Sequence, residues 1–169
     1  MKTRRAQIVK LLVSLVFLPL VFAQLGRAES LAEQRDTLKG IKRIVVLVTL
    51  SPELMDAGLS ADDLKTDAEL KLKMAGVEVV NSEKADGYLY VTVTGFKSWA
   101  LGGAVYRHDL QLRQWVSLLS NPNTTCYAPT WTDGSVSLAK FNDLSSLYEN
   151  LGGSVNKFVK DYLAVNPKK

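Results

Sequence analysis

Cysteine and histidine each occur once, as Cys126 and His108. One cysteine forms no internal disulfide, so the fold has to stand on its core alone. At this length that is feasible, because staples become necessary mainly below ~70–80 residues. One histidine and one cysteine also leave too few soft ligands for a zinc site. The acids Asp62, Asp63 and Asp67 offer only a loose cluster at a helix start, where negative charge complements the helix dipole. There is no Walker-type loop: Leu101-Gly102-Gly103 lacks the following lysine and the strand-loop-helix setting. A hydrolytic triad has no obvious members either. His108 and Asp109 are neighbours on a strand and point to opposite faces. The remaining enzymatic arrangement is His108 with Cys126 across adjacent strands, in a minimal enzyme. No catalytic, metal or cofactor-binding residues are assigned on these grounds, and the chain reads as non-enzymatic.

Long hydrophobic runs are also scarce. The longest, Leu11 to Phe22, has twelve residues and contains Pro19, short of the ~20 that a membrane-spanning helix needs. It follows a basic stretch (Lys2, Arg4, Arg5, Lys10) and precedes small residues at Ala23 and at Gly26-Arg27-Ala28. This is the three-part pattern of a secretory signal peptide, with cleavage expected after Ala28. Residues 1–28 are therefore expected to be removed, leaving no integral membrane span and a periplasmic or extracellular domain. The formal charge of +4 comes from this segment. Without its five basic residues the chain keeps 16 basic and 17 acidic residues, net −1, and the argument for nucleic-acid binding disappears. No cysteine follows the apolar run to carry a lipid anchor.

What is present reads as one domain over residues 41–167, with 29–40 a linker or short helix. Ile41 to Leu50 holds a continuous aliphatic run and predicts a strand buried on both faces. Ser60 caps a helix whose Leu64, Ala68, Leu72 and Ala75 share one face, and Gly76 closes it. Val77 to Val80 is a short strand, parallel to the first. Gly87 to Phe96 alternates, with Leu89, Val91 and Val93 on one side and Tyr88, Tyr90, Thr92 and Thr94 on the other. Val105 to Leu118 alternates again, with Tyr106, His108, Leu110, Leu112, Val116 and Leu118 on one face, broken by Gln114, and Arg107, Asp109, Gln111 and Arg113 on the other. Asn121-Pro122-Asn123 predicts a turn, Thr124 to Trp131 an edge strand containing Pro129, and Asp133-Gly134 a second hairpin turn before Ser135 to Ala139. Asn142 or Asp143 caps a last helix with an apolar stripe from Leu144 to Tyr162. Gly152-Gly153 lies within it, suiting either close approach to the sheet or room for a small apolar ligand. The order β-α-β-β-β-β-α implies an α+β two-layer sandwich: a mixed, mostly antiparallel sheet of four to five strands with helices on one face.

The aromatics are the remaining signal. Tyr88, Tyr90, Trp99, Trp115, Tyr127 and Trp131 all fall on or near the sheet, with Phe96 at a strand end. Projected on the helix-free face they would form a partner-binding patch; projected inward they are core or cross-strand pairs.

The strand Ile44–Thr49, the helix end Leu72-Lys73-Met74-Ala75-Gly76, then Val77-Glu78-Val79-Val80 and Ala85-Asp86-Gly87-Tyr88-Leu89-Tyr90-Val91-Thr92-Val93 resemble small envelope domains. They are similar to the amino-terminal domain of the Tol-system periplasmic propeller protein and to lipoproteins that activate cell-wall synthases. The tail Phe158 to Pro167 resembles that of uncharacterised exported bacterial proteins. The export pattern, the lack of catalytic sets and the aromatics lead to the expectation of a non-enzymatic binding or accessory domain that docks on another envelope component, with a carrier or sensor of a small apolar ligand as the alternative. The missing lipid-bearing cysteine departs from the lipoproteins.

Overall fold

A computed structural model describes residues 32–81, 84–140 and 143–167. The expected leader, residues 1–28, and the terminal Lys168-Lys169 lie outside them. A short helix, α1, covers 32–36. There follow β1 (Arg43–Leu50), α2 (Pro52–Met55), α3 (Ala61–Ala75), β2 (Glu78–Val79), β3 (Gly87–Ser98), a 3-10 turn (Trp99–Leu101), β4 (Gly103–Leu118), β5 (Asn121–Lys140) and α4 (Ser145–Val165). The sheet order is β2-β1-β3-β4-β5. β1 pairs in parallel with β2 and β3, while β3-β4-β5 is antiparallel. This is the expected α+β class, with a mixed sheet.

α3 starts and stops where its sequence says. The Ser60 hydroxyl accepts from the Asp63 amide at 3.2 Å, and Gly76 takes φ +90°, which glycine adopts without a side-chain clash. Leu64, Ala68, Leu72 and Ala75 are buried. α4 begins at Ser145, whose amide donates to Asp143 Oδ1 at 3.0 Å. Its Leu147, Leu151, Val155, Phe158 and Tyr162 join Leu89, Val91, Leu110, Leu112 and Trp131 in one core between helices and sheet. The Tyr162 hydroxyl donates to Ile41 O at 3.0 Å and the Asn166 amide to Leu38 O at 2.8 Å. These bonds tie the end of α4 to the segment that enters β1. At the same end of β1, the amides of Lys42 and Arg43 both donate to Asp86 Oδ2 at 2.9 Å.

Four local expectations change. β1 is not buried on both faces: Leu47 and Thr49 are exposed, and no helix among the described residues covers that side. Asp133-Gly134 is not a turn, and β5 runs unbroken for 20 residues. Gly134 sits opposite Asp109, where an added Cβ would lie 2.5 Å from His108 O. Close strand approach, not chain reversal, explains that glycine. The hairpin instead turns at Leu119-Ser120, between Leu118 and Asn121, so Asn121-Pro122-Asn123 opens β5. Finally, Gly152 faces α3 and not the sheet, since a Cβ there would meet Lys71 Nζ at 3.1 Å. A Cβ at Gly153 would meet nothing within 4 Å among the described residues.

Candidate functional site: the helix-free face of the sheet

Alternation along each strand divides the sheet side chains between the core and an uncovered face. On β3 the core takes Leu89, Val91 and Val93, which leaves Tyr88 and Tyr90 on the other side. Register places Val45 beside Tyr88 and Leu47 beside Tyr90. It places Tyr88 beside Arg113, and Trp115 beside Tyr127. The rings meet: Tyr127 lies 5.8 Å from Tyr88, 6.5 Å from Tyr90 and 5.6 Å from Trp115, centroid to centroid. All three separations fall in the range of favourable aromatic pairs. The Arg113 guanidinium lies over the Tyr90 ring at 5.1 Å, held by Gln111 Oε1 at 2.9 Å from Nη2. Trp115 is 71% exposed. The Tyr127 hydroxyl is shut off from solvent and makes no well-formed hydrogen bond among the described residues. Burial, with Tyr90 alongside, pushes its pKa up, so it stays neutral.

Four of the six sequence-assigned aromatics, Tyr88, Tyr90, Trp115 and Tyr127, thus form one cluster. The other two lie elsewhere. Trp131 points into the core at 1% exposure, edge-on to Phe158 at 5.0 Å, with its indole N–H donating to Asp161 at 3.0 Å. A bulge between Leu112 and Arg113 separates it from Tyr127 and resets the alternation. Trp99 lies in the 3-10 turn at the opposite end of β4 from Trp115. It is 81% exposed. Near it, Phe96, Val105 and Leu138 form a cross-strand row on the same open face. Sequence reasoning missed Val45, Leu47 and Arg113. The aliphatic run in β1 hid its alternation, and only register brings Arg113 over Tyr90.

His108 belongs to a different place. It is 2% exposed beneath α4, with Nε2 2.9 Å from Ser154 Oγ. Ser154 also hydrogen-bonds Asp133, which pairs with Lys157. The charged carboxylate is the stronger acceptor and takes the hydroxyl proton. The imidazole proton is therefore assigned to Nε2, which leaves Nδ1 a buried acceptor with no partner among the described residues. Burial lowers the His108 pKa, against the opposing pull of Asp133 and Asp109. In a hydrolytic triad the histidine stands between the nucleophile and the acid. Here the serine stands between them, and His108 and Ser154 are both buried while Asp133 and Lys157 reach the surface. Cys126 is no closer to completing a site. It pairs with Val116 while His108 pairs with Ser135, a separation along β4 of about 27 Å at ~3.4 Å per residue.

Pockets of about 350 and 560 Å³ open on the surface, one beside Phe96 and Val136, the other between α3 and α4. Among the described residues no helix is long and apolar enough to cross a membrane, and no cluster of His, Cys, Asp and Glu suits a metal ion.

No family model matches the chain, and no curated protein matches it. Among solved structures it is similar to PelC from Paraburkholderia phytofirmans, described as a dodecamer. One form is 18% identical over 75% of this chain and 86% of that one, with a TM-score of 0.38. A second form is 17% identical over 77% and 89%, also at 0.38.

Proposed function

We propose that the chain is a non-enzymatic binding or accessory domain, exported to the periplasm or beyond, that docks on another envelope component through the open face of its sheet. The observation that carries this reading is the cluster of Tyr88, Tyr90, Trp115 and Tyr127, capped by Arg113, on a face that no helix among the described residues covers. Aromatic residues and arginine are the types that concentrate binding energy at protein contacts, and the neighbouring Val45 and Leu47 extend the apolar ground around them. Export rests on the basic, apolar and small-residue pattern of residues 1–28. The resemblance of residues 44–49, 72–80 and 85–93 to small envelope domains supports the same assignment.

The test compares crosslinked capture from envelope extract by the mature chain and by its Trp115→Ala variant. A protein partner recovered by the first and reduced about tenfold or more with the second is expected, since truncating a central aromatic costs more than ~1.4 kcal/mol. Equal recovery by both removes the aromatic cluster from the interface. Amino-terminal sequencing of the exported chain should begin at Glu29.

A further inference from the structure

The outer edge of β5 is guarded along most of its length and open in one window. In the first half, Pro122 and Pro129 interrupt the row of backbone donors, the usual protection of an edge strand. Next, Thr130 O accepts from the Thr37 hydroxyl at 3.1 Å and the Thr132 amide donates to Gln34 Oε1 at 3.2 Å. These bonds show which way the backbone of residues 130 and 132 points: away from β4. At the far end, Lys140 O accepts from the Asp143 amide at 3.1 Å. No register shift intervenes from Trp131 to Lys140. Strand backbones alternate direction residue by residue, so Gly134, Val136 and Leu138 also turn their N–H and C=O groups outward. Among the described residues nothing takes them up. Gly134 to Ala139 contains neither proline nor charge, and Val136 and Leu138 are 67% and 50% exposed on the helix-free side. Ser135 and Ser137 face the helices.

We propose that this window receives an extended segment of a partner protein as a sixth strand. The ends of the window fix the length at about four to six residues, because α1 and Asp143 stand in the way of a longer strand. The faces fix the chemistry. The segment is proline-free, carries apolar side chains at alternate positions to lie beside Val136 and Leu138, and small polar ones to lie beside Ser135 and Ser137. Main-chain bonds hold it and alternate side chains select it. The inference rests on the reading of the chain as a docking domain but places this contact apart from the Trp115 cluster.

A library of random linear heptapeptides, displayed and selected on the full exported chain, tests it. Expected are alternating apolar-polar peptides that lose about tenfold or more in affinity when every second backbone amide is N-methylated, and little when the intervening ones are. They should bind the Trp115→Ala chain normally and fail on a Val136→Lys, Leu138→Lys chain whose circular dichroism is unchanged. Peptides indifferent to N-methylation overturn the proposal. So does binding lost only with Trp115→Ala, which leaves the aromatic docking face standing alone. Recovery of no such peptide also overturns it, and sedimentation then tells whether a second copy of the chain fills the edge.

Discussion

At the scale of the residue, the two tryptophans of the β4-β5 hairpin show how far one position of register carries. Both precede or follow polar residues, and both read alike as candidates for a surface patch. The bulge after Leu112 sends Trp131 under α4, while unbroken alternation along β4 leaves Trp115 in the open. Bulges have no reliable mark in a single sequence, so the inward turn of Trp131 was not legible, whereas Tyr88 and Tyr90 were, because their strand alternates without interruption. The two positions should respond very differently to truncation. Trp131→Ala opens a cavity against Phe158 and strands the Asp161 bond, and should cost about 3–5 kcal/mol of stability. Trp115→Ala removes one exposed ring contact and should cost less than about 1.5 kcal/mol. Chemical denaturation of both variants measures the difference; equal losses would place Trp115 in the core as well.

Among the elements, helices were easier to read than turns. The Ser60 cap, the apolar stripe of α3 and the closing Gly76 are local signals, and each one acts locally in the structure. Asp133-Gly134 carries the composition of a turn for a nonlocal reason: β4 comes too close for a side chain at Gly134. The same distinction divides the glycine pair of α4. Gly152 is buried where α4 passes Lys71 of α3, while an added Cβ at Gly153 meets nothing among the described residues, so only the first shows a packing reason to be glycine. Gly153→Ala should therefore stabilise the domain by about 1 kcal/mol, through the helix propensity of alanine over glycine. Gly152→Ala gains the same propensity but has to push the Lys71 ammonium aside, so its benefit should be smaller. Thermal melts of the two variants rank them, and a larger gain for Gly152→Ala would contradict the assigned roles.

For the whole molecule, a single helical layer on one sheet face puts the buried polar groups at the seam between α4 and β4-β5, and it makes the domain sensitive to acid in two stages. The first concerns His108. Burial holds its pKa below the ordinary value near 6.5, so the unfolded chain binds a proton before the folded one does. Stability is complete above that value and falls as pH drops beneath it, until the folded imidazole itself protonates. The second stage belongs to the carboxylates. For Asp133, burial raises the pKa, but Lys157 and the Ser154 hydroxyl outweigh it and hold the group below 3.8. For Asp86, burial is likewise outweighed by the amides of Arg43 and Lys42 and by the Arg43 guanidinium. Their contribution is complete above about 3.8 and is lost as pH falls through the lower folded values. The urea midpoint should therefore be flat from pH 8 to 7, decline below about pH 6.5, and decline again below about pH 4. In His108→Gln the midpoint should start lower, because the packing and the Ser154 bond are altered. The upper decline should be absent and the lower one retained. An upper decline that survives in His108→Gln would mean that another group titrates there and that the imidazole beneath α4 is not the source of the acid sensitivity.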